Sequence, residues 1–312
     1  RPARPLLRHP RLPTPVDMVC CCQDSVHGGA LPPRRNLGGR TSVLIGVFDS
    51  GIGGLTVLKE LWHKLPAHST LYLGDTARVP YGTKSAQTVV RYAQQVSAML
   101  IDQGIDLLVV ACNTASAHAM PTLTQLPVPV VGVVEPGARA ALEQGSAKHV
   151  GVIGTTATVA SAAYEQALRR VQPGIRVSSL ACPLFVPLVE EGWEHTDVAQ
   201  AAARRYLAHW ADPEADRPDT LVLGCTHYPA LKPLLHQLLG DSVRLIDSAE
   251  ATASVVARRL ADAPPEDRPE HRILVTDGAP GFSEIASRLL DRPMPRLDVV
   301  DLDPTTIRSR RS

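Results

Sequence analysis

Two short stretches of this 312-residue chain set a thiol beside hydroxyl, amide or imidazole groups: Cys112-Asn113-Thr114 and Cys225-Thr226-His227. The first follows Leu107-Leu108-Val109-Val110-Ala111 and the second follows Leu221-Val222-Leu223-Gly224. Both apolar runs read as buried strands that deliver a cysteine at their carboxyl end. A thiol acts as a base or nucleophile as its thiolate, and with a reference pKa near 8.5 that ionisation costs about 2 kcal/mol at neutral pH. A helix N-terminus and a neighbouring base can supply this much. A lone cysteine is more often a small buried hydrophobe, and Cys182, before Pro183 and without a polar neighbour, reads that way. Two cysteines at matched strand ends point instead to paired thiol chemistry.

The matching extends upstream. Gly46-Val47-Phe48-Asp49-Ser50 precedes the first cysteine much as Gly151-Val152-Ile153-Gly154-Thr155 precedes the second, with copies offset by 105 and 113 residues. This is the pattern of a duplicated half. A site between two such halves takes one thiol from each, which suits moving a proton between opposite faces of one carbon.

Other chemistries fit less well. A phosphatase loop needs arginine six residues after its cysteine, where this chain has His118 and Leu231. A papain-like or caspase-like hydrolase uses one cysteine and leaves the duplication without a purpose. Cys112, Cys225 and His227 are the right types for zinc, but Cys-x-His on a tight turn is poor ligand spacing, so no metal is expected. Gly51-Ile52-Gly53-Gly54 resembles half of a dinucleotide fingerprint, yet Thr56 stands at the third glycine position and Asp49 would meet a pyrophosphate with like charge. These glycines are expected instead to let backbone approach a small anion at the next helix N-terminus. Removal of an α-proton by pyridoxal phosphate needs a lysine, and none of the five lysines ends a strand. Without such a cofactor, N–H and hydroxyl donors must stabilise the developing charge, and Ser50, Asn113, Thr114 and Thr226 are suited to it.

The elements that position these residues form a βα alternation from Leu44 onward. Strands are expected at 44–48, 70–73, 107–111, 130–133, 149–153, 175–180, 220–223, 243–246 and 272–276. The clearest helix is 85–103, with Ser85 as cap, one face of Val89, Tyr92, Val96, Met99 and Leu100, and Gly104 as stop. Strands joined by helices are mostly parallel. Ligands in such sheets bind beyond the strand carboxyl ends, where Asp49, Asp75, Cys112, Glu135, Thr155, Cys225 and Asp247 fall. Val134-Glu135-Pro136-Gly137 reads as a break between halves, and Ala263 to Pro269 as a surface loop. Residues 1–42 hold seven prolines, seven arginines and Cys20-Cys21-Cys22 without a periodic apolar face, so disorder is expected there.

A composition of 44% hydrophobic and 20% charged residues is that of a globular protein, and no apolar run approaches a membrane span. A formal charge of +1 offers no basic field for nucleic acid. Six cysteines are too few for a disulfide scaffold of this length, so a reducing, cytoplasmic setting is expected.

Five motifs in order resemble those of the glutamate racemase family: Phe48 to Leu55; Leu73-Gly74-Asp75 leading to Val79-Pro80-Tyr81-Gly82; Ala111 to Ala115; Val186 to Glu190; and Gly224 to Pro229. The resemblance spans about residues 44–300. It implies two pseudo-symmetric, doubly wound α/β domains with mainly parallel sheets and the active site in the cleft between them. The lobes would comprise 43–136 with 246–312, and 137–245. It also implies interconversion of L- and D-glutamate without cofactor, for bacterial cell-wall synthesis. By position, Cys112 and Cys225 would transfer protons, assisted by Asp49 and His227 respectively. Substrate contacts would come from Asp49, Ser50, Tyr81, Gly82, Asn113, Thr114, Thr226 and His227, with Thr155, Thr158 and Glu190 beside them and Asp75 nearby in an open role. A homodimer stays open. Within the residues themselves, an aspartate racemase and a two-lobed small-anion binding protein are the alternatives.

Overall fold

The computed structural model describes residues 42–302, apart from 144, 146 and 213–215. Residues 1–41, with the expected disorder and the triple cysteine, lie outside the described residues, as does the end of the chain from 303.

Ten strands fall into two sheets. The first sheet holds β1 (Leu44–Asp49), β2 (Ser69–Gly74), β3 (Leu107–Val110), β4 (Val130–Gly132), β9 (His271–Val275) and β10 (Leu297–Val299), in the order β10-β9-β2-β1-β3-β4. The second holds β5 (His149–Gly154), β6 (Arg176–Ala181), β7 (Thr220–Gly224) and β8 (Arg244–Asp247), in the order β6-β5-β7-β8. Every pairing is parallel. The order β2-β1-β3-β4 in one sheet is repeated as β6-β5-β7-β8 in the other, so the sequence duplication is a duplication of topology. The strands after β8 return to the first sheet and extend it beyond β2.

The helices are α1 (Leu55–Lys64), α2 (Ala86–Asp102), α3 (Asn113–Leu123), α4 (Val134–Leu142), α5 (Thr156–Ala160), α6 (Ala163–Val171), α7 (Phe185–Glu190), α8 (Asp197–Ala211), α9 (Lys232–Leu239), α10 (Ser248–Arg259) and α11 (Phe282–Leu290). They cover both faces of the sheets, which is why the central strands are apolar throughout rather than alternating. Every residue of β3 and β7 is buried. Helix α2 shows the local logic. Ser85 accepts from the Thr88 N–H as N-cap, and Val89, Ala93, Val96 and Leu100 are fully buried at the spacing of one helix face. Truncating Leu100 to alanine would cost about 2–5 kcal/mol. Tyr92, on the same face, is only half-buried and meets Tyr81 ring to ring at 5.6 Å between centroids.

Two expectations are corrected. Val134 to Gly137 is no linker: it is the first turn of α4, whose residues Val134, Ala138 and Ala141 pack in one core cluster with Val150, Val152 and Val222 of the second sheet. β10 was not expected at all. Ala263 to Pro269 is a loop, pinned to β2 where Ser69 Oγ donates to Glu266 Oε2 at 2.5 Å.

Candidate active site

Register brings the chemistry to one edge of each sheet. Asp49 pairs with Gly74 across β1 and β2, and the Ala111 N–H donates to the Phe48 carbonyl, so Asp49, Asp75 and Cys112 emerge together. In the second sheet Gly154 pairs with Gly224, placing Thr155 beside Cys225. The two edges face one cavity of about 140 Å³, lined by Ser50, Tyr81, Gly82, Cys112, Asn113, Thr114, Thr155, Cys225, Thr226 and His227. Val79, Pro80, Pro183, Val186 and Pro187 form its apolar wall. The cavity suits a small metabolite rather than a nucleotide. Its lining contains no lysine or arginine, so an anion there is held by neutral donors and by His227.

Both cysteines are buried, each about 5% exposed. Cys112 is the N-cap of α3. Its Sγ accepts from the Ala115 N–H at 3.5 Å and donates to Ser50 Oγ at 3.4 Å. Burial, with the Asp49 charge nearby, pushes the Cys112 thiol up to about 12, against the opposing pull of the Ser50 and Ala115 hydrogen bonds. Cys112 therefore holds its proton at neutral pH.

Cys225 has different company. His227 Nδ1 lies 3.8 Å from Cys225 Sγ, and His227 Nε2 lies 2.9 Å from Glu190 Oε1 at the end of α7. Burial alone would lower the histidine. The hydrogen bonds with Cys225 and Glu190, and their charges, outweigh it and raise His227 to about 10. An imidazolium thus sits between the Cys225 sulfur and a carboxylate.

The buried carboxylates separate by how they are satisfied. Asp75 accepts from Arg78 Nε, the Tyr81 hydroxyl and Thr276 Oγ1, which makes it the anchor of the Tyr81-Gly82 turn. Asp247 caps α10 through the Ala249 N–H and pairs with Lys232 at 2.7 Å. Asp49 is different: Oδ2 accepts from the Gly51 N–H at 2.9 Å, but Oδ1 is buried without a partner. Burial raises its pKa, against the pull of the Gly51 N–H, the His227 charge and the nearby backbone N–H groups of Gly54 and Ser50. A buried carboxylate with one unpaired oxygen beside Cys112 has the chemistry to take or give a proton.

Neutral donors complete the site. The Asn113 amide accepts from the Tyr164 hydroxyl at 2.6 Å through Oδ1, and its Nδ2 is buried with no partner. Thr114, Thr155 and Thr158 close a triangle of hydroxyls with edges of 3.0, 3.2 and 3.0 Å. Its Thr114 corner comes from α3 and the other two from the start of α5, Thr155 as N-cap and Thr158 in the first turn, so the triangle ties the halves together. Asp49, Thr158 and Glu190 do not line the cavity: Asp49 and Glu190 stand behind the cysteine sites, and Thr158 behind Thr114 and Thr155.

The glycines after β1 make room for close-packed side chains. A Cβ on Gly53 would lie 2.4 Å from His227 Cε1 and 2.4 Å from Thr226 Oγ1. One on Gly54 would lie 2.4 Å from Asp49 Cβ. At Gly53 the backbone approaches side chains of the opposite half and at Gly54 the Asp49 side chain of its own half, and Thr56 Oγ1 bridges to the Thr226 carbonyl at 2.9 Å. Cys182 is a core residue in van der Waals company, with burial raising its thiol to about 12. Among the described residues no group of three or more His, Cys, Asp or Glu could hold a metal ion.

Comparison with known proteins bears on the same residues. A family model described as Asp/Glu/Hydantoin racemase matches residues 50–256. A glutamate racemase of Geobacter metallireducens is 51% identical over 251 residues, covering 79% of this chain and 92% of that protein. The crystal structure of a glutamate racemase isoform from Bacillus anthracis is similar with a TM-score of 0.79 at 38% identity, covering 84% of this chain and 99% of its own. A glutamate racemase structure from Francisella tularensis in complex with D-glutamate gives 0.79 at 36% identity, over 85% and 99% of the two chains.

Proposed function

This chain belongs to the Asp/Glu/hydantoin racemase family, and from that premise we propose that it interconverts L- and D-glutamate by two-base proton transfer between Cys112 and Cys225. The glutamate racemases it resembles in sequence and structure, one of them solved with D-glutamate, support the reaction. The product serves peptidoglycan synthesis, and we place the enzyme in the cytoplasm, where thiols stay reduced. Among the described residues no helix is long and apolar enough to cross a membrane. Substrate is the only partner the chemistry requires: both thiols come from one chain, and neither nucleic acid nor membrane enters. A homodimer would leave this chemistry unchanged.

The observation that carries the mechanism is that the two strand-end thiols line one cavity while differing in surroundings. Cys112 keeps its proton and is the donor. Cys225, its own proton held on His227, is the thiolate that receives the α-proton of the bound amino acid. As that C–H bond breaks, its electron pair delocalises into the α-carboxylate. Asn113 Nδ2, the hydroxyls of Ser50 and Thr114, and the N-terminus of α3 are fixed donors for the charge. Cys112 then delivers its proton to the opposite face, and the electron pair returns to form the new C–H bond. The thiols have exchanged roles, and the reverse reaction uses them in the opposite order. Asp49 and His227 are the stations through which their protons are reset.

Purified protein is to be given L-glutamate or L-aspartate with no added cofactor, and circular dichroism of the amino acid followed to equilibrium. Glutamate is expected to racemise and aspartate to remain. Racemisation of aspartate instead would reassign the substrate, and loss of the glutamate reaction on chelation would bring back a metal.

A further inference from the structure

Glu190 reaches His227 from the last residue of a six-residue helix. Such a helix holds its end by capping rather than by length. The cap of α7 has two parts. The Gly192 N–H donates to the Val189 carbonyl and the Trp193 N–H to the Leu188 carbonyl, with Gly192 at φ +74, which is a Schellman ending. The second part comes from far along the chain. Arg288, on α11, donates through one terminal nitrogen to the Val189 carbonyl at 2.5 Å and the Glu190 carbonyl at 3.1 Å. Its guanidinium lies where a Cβ of residue 192 would be, 2.8 Å from that position, so Gly192 makes room for it. Glu194 is buried, and its Oε1 stands 3.6 Å from Arg288 Nε.

We propose that Arg288 is a positioning residue for the Cys225 side of the reaction, holding the end of α7 so that Glu190 meets His227. The role rests on the two-thiol reading given above. Arg288 belongs to the segment that returns to the first sheet, whereas α7 and Cys225 belong with the second, so the contact joins the two halves behind one thiol only. Because Glu194 balances the guanidinium charge, Arg288 acts through the placement of Glu190. The charged or titratable groups facing His227 are Cys225 on its own turn, Glu190 from α7 and Asp49 from the end of β1. None of them touches Arg288 by a side-chain contact, and Cys112 has no link to it.

The test uses the full chain carrying Arg288→Ala, with Arg288→Gln as a milder partner able to donate to one carbonyl should the alanine variant not fold. Three readouts are taken: melting temperature, the pH profile of kcat, and the isotope effect with α-deuterated L- and D-glutamate. We expect a roughly tenfold lower kcat with KM changed less than about twofold, and an alkaline limb moved to lower pH. The isotope effect should grow for the enantiomer deprotonated by Cys225 and not for the other. A folded variant with the wild-type limb and isotope effects altered equally, or not at all, in the two directions overturns the proposal, whatever its melting temperature. Failure of the underlying reading looks different: the unaltered chain would not racemise glutamate, or Cys225→Ala would remain active.

Discussion

Replacing Glu190 by glutamine removes one negative charge from His227 while keeping an oxygen that can accept from Nε2. His227 stands at about 10 against an ordinary 6.5, which at 1.36 kcal/mol per unit is about 5 kcal/mol in favour of the protonated ring. That is the net after burial, which lowers the histidine, and the raising contributions come from Cys225 at 3.8 Å and Glu190 at 2.9 Å. The Glu190 side chain is 35% exposed, and water screens its charge, so its share is about 1–2 kcal/mol. Glu190→Gln should therefore bring His227 down by about one unit and kcat down by roughly tenfold. The alkaline limb of the pH–rate profile, read by circular dichroism of glutamate, should move down by the same unit. Stability gives a second reading. A histidine whose folded value is raised contributes stability that is complete below pH 6.5 and lost as pH rises through about 10. The variant should accordingly melt lower than the parent at pH 6, and the gap should close above pH 10. An unshifted limb together with equal melting temperatures at pH 6 would refute the assignment of Glu190 as the partner that holds the His227 proton.

Asp49→Asn should trade activity for stability. An acid raised by burial costs folding free energy once it ionises, a cost absent below 3.8 that sets in as pH rises through the folded value. At pH 7 the variant should melt no lower than the parent, by calorimetry, while kcat falls at least about tenfold; a drop in melting temperature with kcat retained would reverse the assignment. Gly53→Ala would force a methyl group into the His227 ring and the Thr226 hydroxyl. It should cost about 1–3 kcal/mol in urea unfolding and most of the activity, and a variant with parental kcat would show that the halves need not approach so closely.

The fold was legible where local pattern and tertiary role coincide. The inner strands β1, β3, β5 and β7 are dominated by β-branched or aliphatic residues because both sheet faces are covered there, and Ser85 and Gly104 mark α2 without ambiguity. β10 is three residues, Leu297–Val299, whose place is set by pairing with β9 and not by composition. The opening of α4 misled because Pro136 and Gly137 look like a break, yet proline is tolerated in a first helical turn, where its missing N–H is not needed. In the site, strand ends announced Cys112, Cys225, Asp49 and His227. What stood outside reach were contacts made across the chain: Glu190 to His227 over 37 residues, Tyr164 to Asn113 over 51, and Arg288 to Val189 over 99. The glycines after β1 were legible as places of close approach, but not what they approach.

The central claim is that two thiols work from opposite faces of one carbon, and proton bookkeeping in deuterated water tests it most directly. L-glutamate is incubated with the enzyme in deuterium oxide, the enantiomers are separated early in the reaction, and each is analysed for α-deuterium. With separate bases, the new D-enantiomer should carry solvent deuterium from its own donor while the remaining L-enantiomer stays protonated, and the D-enantiomer as substrate should give the mirror result. Early deuterium in the unreacted enantiomer, appearing as fast as in the product, would mean that one base serves both faces and would contradict the account.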